Sequence, residues 1–111
     1  MLAKTEGFTE AQVQLAALAK ALAHPARIAL LEELARRDTC LCGELVDALP
    51  LAQATVSRHL KVLKDAGLIR GEVDGPRSCY CLSPEGITVL RSAMSDLLAT
   101  LSSATPPATC C

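Results

Sequence analysis

The chain has 111 residues, six cysteines, two aromatic residues (Phe8 and Tyr80) and a formal charge of −1. That length fits one domain burying about 60–70% of its unfolded surface, and near-neutrality excludes a protein that holds nucleic acid by bulk positive charge. No apolar run reaches membrane-span length and the N-terminus lacks the order of a signal peptide, so a cytoplasmic chain with reduced thiols is expected. With half the residues hydrophobic and so few rings, the core must come from Leu, Val, Ile and Ala, as in helical bundles.

Residues 1–8 have no periodicity and are expected to form a flexible arm. The domain proper is expected over residues 9–101. Thr9 offers a helix cap, and Val13, Leu15, Ala16, Leu18, Ala19 and Leu22 follow at helical spacing up to the break at His24-Pro25. This stripe is broad enough to pack on both its own domain and a second subunit. Pro25 suits the first turn of a second helix, where its missing N–H is not needed. Ile28, Leu30, Leu31 and Leu34 give that helix its apolar side, and Arg36-Arg37 complement its C-terminal dipole. His24 lacks partners at ligand spacing and reads as a residue of the helix start rather than a metal ligand.

Leu45, Val46 and Leu49 lie on one side of a short helix that Pro50 stops. A further helix over residues 52–66 places Val56, Leu60 and Leu63 at i, i+4 and i+7, with Gly67 as its left-handed closing residue. Its other side carries Gln53, Thr55, Ser57, Arg58, His59, Lys61 and Lys64. Two short helices around a Pro-containing turn, the second rich in groups that bond phosphates and base edges, form a helix-turn-helix. The period then changes to that of strands over residues 68–73 and 77–82, joined by Asp74-Gly75-Pro76, which makes a wing. Ser83-Pro84-Glu85 opens a last helix with Ile87, Leu90, Met94, Leu97, Leu98 and Leu101 as its apolar stripe. Residues 102–111 are Ser-, Thr- and Pro-rich and are expected to form a flexible tail ending in Cys110-Cys111. The expected fold is therefore mainly α with a small β-hairpin wing, a winged helix-turn-helix.

The cysteines come in close pairs, Cys40/Cys42, Cys79/Cys81 and Cys110/Cys111, which suits metal or redox chemistry better than cross-bridging staples. Thiolates are soft ligands for zinc, Cu(I), arsenite or antimonite. A Cys-X-Cys supplies two of the three sulfurs that a pyramidal trivalent arsenic or antimony centre takes.

Four segments together, LAKALAHPARIALLEEL, CLCGEL, QATVSRHLKVLKDAGLI and GEVDGPRSCYCL, resemble the ArsR family of winged-helix metalloregulatory repressors, over roughly residues 15–82. The resemblance implies a homodimer held by the first and last helices that binds double-stranded operator DNA and represses until an inducer binds; no catalytic constellation and no membrane-length apolar run is visible, so no enzyme activity, no permanent cofactor and no membrane partner are expected. Ala52 and Ala54 depart from the pattern, since such proteins often have Ser there. That leaves Gln53, Thr55, Ser57, Arg58 and His59 with more of the operator contacts, Arg58, Lys61 and Lys64 on phosphates, and Arg77 reaching the minor groove from the wing.

Cys40 and Cys42 resemble the inducer cysteines of arsenic-responsive members, but the third cysteine that some members carry falls at Leu45. Two sources of the missing sulfur are open. The ten-residue tail reaches about 33 Å and brings Cys110 or Cys111, which is the preferred source because a terminal Cys-Cys has no packing role. Alternatively, the segment before the helix-turn-helix pairs with the second wing strand and brings Cys79 or Cys81, otherwise read as small residues packed beneath the wing. The expected metal ligands are thus Cys40, Cys42, Cys110 and Cys111, binding As(III) or Sb(III) as inducer. The competing reading is a thiol-redox or persulfide-sensing repressor on the same fold.

Overall fold

The computed structural model describes residues 7–37, 40–42, 53–72 and 79–109. The expected first helix of the helix-turn-helix and the turn of the wing fall outside them. The described elements run α1 (Glu10–Leu22), α2 (Pro25–Arg37), β1 (Leu41–Cys42), α3 (Gln53–Asp65), β2 (Ile69–Glu72), β3 (Cys79–Leu82) and α4 (Pro84–Ser102).

Each helix boundary has a local chemical cause. Thr9 caps α1 by accepting the Gln12 amide at 3.0 Å, while the Gln12 side chain accepts the Thr9 amide at 3.0 Å, a reciprocal capping box. Pro25 is the first residue of α2, and the His24 ring accepts the Ala26 amide through Nδ1 at 3.0 Å. His24 therefore serves the helix start. Gly67 closes α3 at φ +83°. Its amide reaches the Lys64 carbonyl at 2.9 Å, and the Leu68 amide reaches the Leu63 carbonyl at 3.0 Å. Those two bonds make a Schellman motif, and they turn the chain into β2 with Leu68 buried. Ser83 caps α4 by accepting the Gly86 amide at 3.1 Å, with Pro84 following in the first helical position. A side chain at Gly86 would land on the Gly67 carbonyl, so glycine there lets α4 start directly against the turn that ends α3.

The sheet has order β1-β3-β2, with both pairings antiparallel. Leu18 and Ala21 of α1, Leu30 and Leu34 of α2, Val56, Leu60 and Leu63 of α3, then Leu68, Ile69 and Tyr80 form one buried cluster. Helix α3 thus sits on α2 and the sheet through its Val56-Leu60-Leu63 stripe, as the spacing predicts. The α4 helix behaves differently: it packs along α1, yet none of its residues is fully buried. Leu98 and Leu101 are 56% and 60% exposed, and Met94 and Leu97 are also exposed.

Candidate functional site

Two features carry the chemistry: a ladder of cysteines between β1 and β3, and the outward side of α3. In the ladder, Leu41 pairs with Tyr80 and Cys42 with Cys79. Side chains alternate along a strand. Tyr80 is 1% exposed and belongs to the core, so Cys79 and Cys81 lie on the opposite side of β3, half-buried. They are not core residues packed beneath the wing. Cys40 and Cys81 are joined as a disulfide with Cα atoms 4.4 Å apart, a spacing within the range that disulfide geometry allows. Cys79 is also disulfide-bonded.

The sequence left the source of a further sulfur open between tail and wing. The register brings the wing cysteines to β1, whereas Cys110 and Cys111 lie outside the described residues. Among the described residues, no cluster of three His, Cys, Asp or Glu side chains is assembled for a metal as it stands. Soft sulfur donors are nonetheless the right class for a thiophilic ion.

On α3, Arg58 and Lys61 are exposed, while Thr55, Ser57 and Lys64 are half-buried. Arg58, Lys61 and Lys64 have no ion-pair partner among the described residues, so their charge is available. Arg70 adds an exposed cation on β2. Gln53 is the first residue of α3. Arg77 lies outside the described residues.

His59 departs from the expectation of an operator contact. It is 9% exposed, its Nδ1 lies 3.1 Å from Arg27 Nη1, and its ring sits 4.4 Å from that of His24, tilted by 45°. The reason is positional: His59 is three residues after Val56 and four before Leu63, so it shares their inward side. Burial, followed by the nearby His24, Arg27 and Arg58, holds its pKa below the usual 6.5. Arg27 is the residue that sequence reasoning missed. It stands in the first turn of α2, where a cation opposes the helix dipole. That local conflict is the sequence signal that it has partners elsewhere.

Comparison with known proteins matches residues 22–72 to a helix-turn-helix domain family. The chain is 40% identical over 74 residues to the arsenical resistance operon repressor of Bacillus subtilis, covering 66% of this chain and 70% of that one. It is 47% identical over 66 residues to the transcriptional repressor SmtB of Mycobacterium tuberculosis, covering 60% of this chain and 48% of that protein. The crystal structure of an ArsR family transcriptional regulator superimposes with a TM-score of 0.70 at 25% identity, covering 88% of this chain and 100% of that one. The chain belongs to the ArsR family. It spans about half the length of the SmtB relatives it matches. Within the ArsR fold, α3 is the second helix of the helix-turn-helix and β2–β3 the wing. No described helix is long and apolar enough to cross a membrane.

Proposed function

We propose that this ArsR-family chain is a metalloid-responsive transcriptional repressor and no enzyme, gripping operator DNA as a dimer and letting go when arsenite or antimonite binds its cysteine thiolates. The observation that carries the reading is the β1–β3 register, because Cys40 and Cys42 come just before the expected helix-turn-helix in sequence and lie opposite Cys81 and Cys79 of the wing. The likeness to a protein named as an arsenical resistance operon repressor supports the choice of inducer.

In the DNA-bound dimer each α3 lies in a major groove, with half-sites about one helical turn apart. Arg58 and Lys61 meet phosphates, and Gln53, Thr55 and Ser57 are the candidates for base edges. The uncovered apolar residues of α4, with the groove that Leu15, Val89, Ala93 and Leu97 line between α1 and α4, support pairing of two copies through these helices.

The inducer step begins with the fully reduced form, in which the disulfides of Cys40, Cys79 and Cys81 have been opened by a thiol reductant. Arsenous acid releases three hydroxyl groups as water, each taking one thiol proton, and three As–S bonds form. Directly opposed residues on antiparallel strands have Cβ atoms about 4.5–5.5 Å apart, while diagonal neighbours are about 7–8 Å apart. One opposed pair therefore fits a pyramidal centre, and a third sulfur two residues along must be drawn inward. We assign that third ligand to the wing, Cys79 or Cys81, in place of Cys110 or Cys111. Drawing it in distorts β1, which precedes the expected helix-turn-helix in sequence.

A second reading has its own support. The Cys40–Cys81 disulfide suits a repressor that responds to oxidants or sulfide donors through the same thiols. Mass spectrometry of the reduced protein separates the two and tests the ligand assignment. Wild-type chain and a truncation ending at Thr109 should each hold one arsenic per protomer, and the double variant C79S/C81S should hold none through three bonds. Arsenic retained by that double variant but lost on truncation would return the third ligand to the tail; a sulfur-sulfur adduct without arsenic uptake would favour the second reading.

A further inference from the structure

Arg27 lies where three helices meet. Its Nε donates to the Ala21 carbonyl at 2.6 Å and its Nη2 to the Lys20 carbonyl at 3.2 Å, so it caps the last carbonyls of α1, where a cation is favoured. Its remaining arm, Nη1, meets His59 Nδ1 at 3.1 Å. One side chain thus links the end of α1, the start of α2 and the middle of α3.

A guanidinium has only donors and keeps its proton. His59 Nδ1 must therefore offer a lone pair, with the ring proton on Nε2. His24 Nδ1 is likewise committed as an acceptor by the Ala26 amide. The contact accordingly requires a neutral His59, and the residue next to it on α3 is the exposed Arg58. We propose that Arg27 is a positioning residue for operator reading, holding α3 in register with the α1–α2 frame through neutral His59. The proposal rests on the reading of α3 as the operator-reading helix.

The charged and titratable groups that face His59 are His24 and Arg27 from the α1–α2 side and Arg58 on its own helix. No carboxylate is ion-paired with any of these among the described residues; the Glu33 carboxylate pairs with Arg36 and Arg37 instead. A proton on His59 removes the acceptor that Arg27 uses and sets two cations in contact. Because burial, His24, Arg27 and Arg58 hold this histidine below its ordinary 6.5, the bracket is fully present above 6.5 and is lost as pH falls through the lower value that His59 has in the folded chain. An imidazole touching phosphate would do the opposite, gaining charge and tightening DNA binding as pH falls. The chain has only two histidines, both in this cluster, so histidine-linked pH dependence reports on it.

The test uses a DNA duplex enriched from a random-sequence library by the reduced wild-type protein. Its affinity is measured by fluorescence anisotropy at about pH 7.5 and about pH 5.5, on either side of the ordinary imidazole value. Wild-type affinity should fall on acidification. Arg27→Gln and Arg27→Lys should bind about tenfold more weakly at the higher pH, the scale of one charged hydrogen bond, with helical circular dichroism retained. His59→Asn keeps an acceptor oxygen near the Nδ1 position but cannot take the proton, and should flatten the acid loss; it decides the matter if the Arg27 variants fail to fold. Tighter wild-type binding in acid, an unaltered acid loss in His59→Asn, or wild-type affinity in folded Arg27→Gln would overturn the proposal. If the wild type enriches no duplex, the reading of α3 itself falls and the bracket with it.

Discussion

Cys40→Ser should bind operator as the wild type does and no longer release it with arsenite. In the wild type, saturating arsenite is expected to weaken operator binding by about 5–150-fold, the usual span of a coupling free energy between two sites; in the variant that factor should collapse to about one. The asymmetry follows from where the residue sits. Cys40 is exposed and bonded to Cys81 on the side of the ladder away from buried Tyr80, so replacing its sulfur by oxygen removes no core contact. What it removes is a soft donor, and a hydroxyl is a poor substitute for a thiolate on a thiophilic centre. Gel-shift titrations of reduced protein with arsenite check the outcome. A Cys40→Ser protein that still releases operator at wild-type arsenite concentrations would remove this residue from the inducer site.

Leu63→Ala should cost about 2–5 kcal/mol of folding stability, the range for deleting a fully buried leucine side chain. Leu63 is 0% exposed, and its side chain shares one buried cluster with Leu68 at the turn into the wing. The loss therefore loosens both the seat of the helix and the turn into the wing. Set against the roughly 5–15 kcal/mol available to a domain, it should lower the urea midpoint sharply with little change in the slope of the transition. Protein concentration must be held fixed, since the proposed pairing of copies would add to apparent stability. A midpoint unchanged from wild type would mean that α3 is not seated through this stripe.

Much of this architecture is legible in the residues because its causes are local. Thr9, Pro25, Gly67 and Ser83 act within a few positions of themselves, and Val56, Leu60 and Leu63 mark the inward side of α3 by spacing alone. His59 shows what residue type conceals. Read as polar, it joins the outward groups, but its place in the same i, i+3, i+4 series already puts it among the leucines. The β1–β3 ladder follows from winged-helix topology and stands in the sequence only as one of two open alternatives, because two residues are too few to show a strand period and the Cys40–Cys81 pair is 41 residues apart. Arg27 depends on contacts with α1 and α3 that no spacing within α2 encodes. Its one local signal was a cation in the first turn of a helix.

In the proposed switch, sulfur capture at the ladder and operator grip by α3 weaken each other. Calorimetric titration of the reduced protein with arsenite, free and saturated with its enriched duplex, measures that directly. Arsenite should bind the DNA complex more weakly than the free protein, by the same factor by which arsenite weakens operator binding. Equal arsenite affinities in the two states would contradict it.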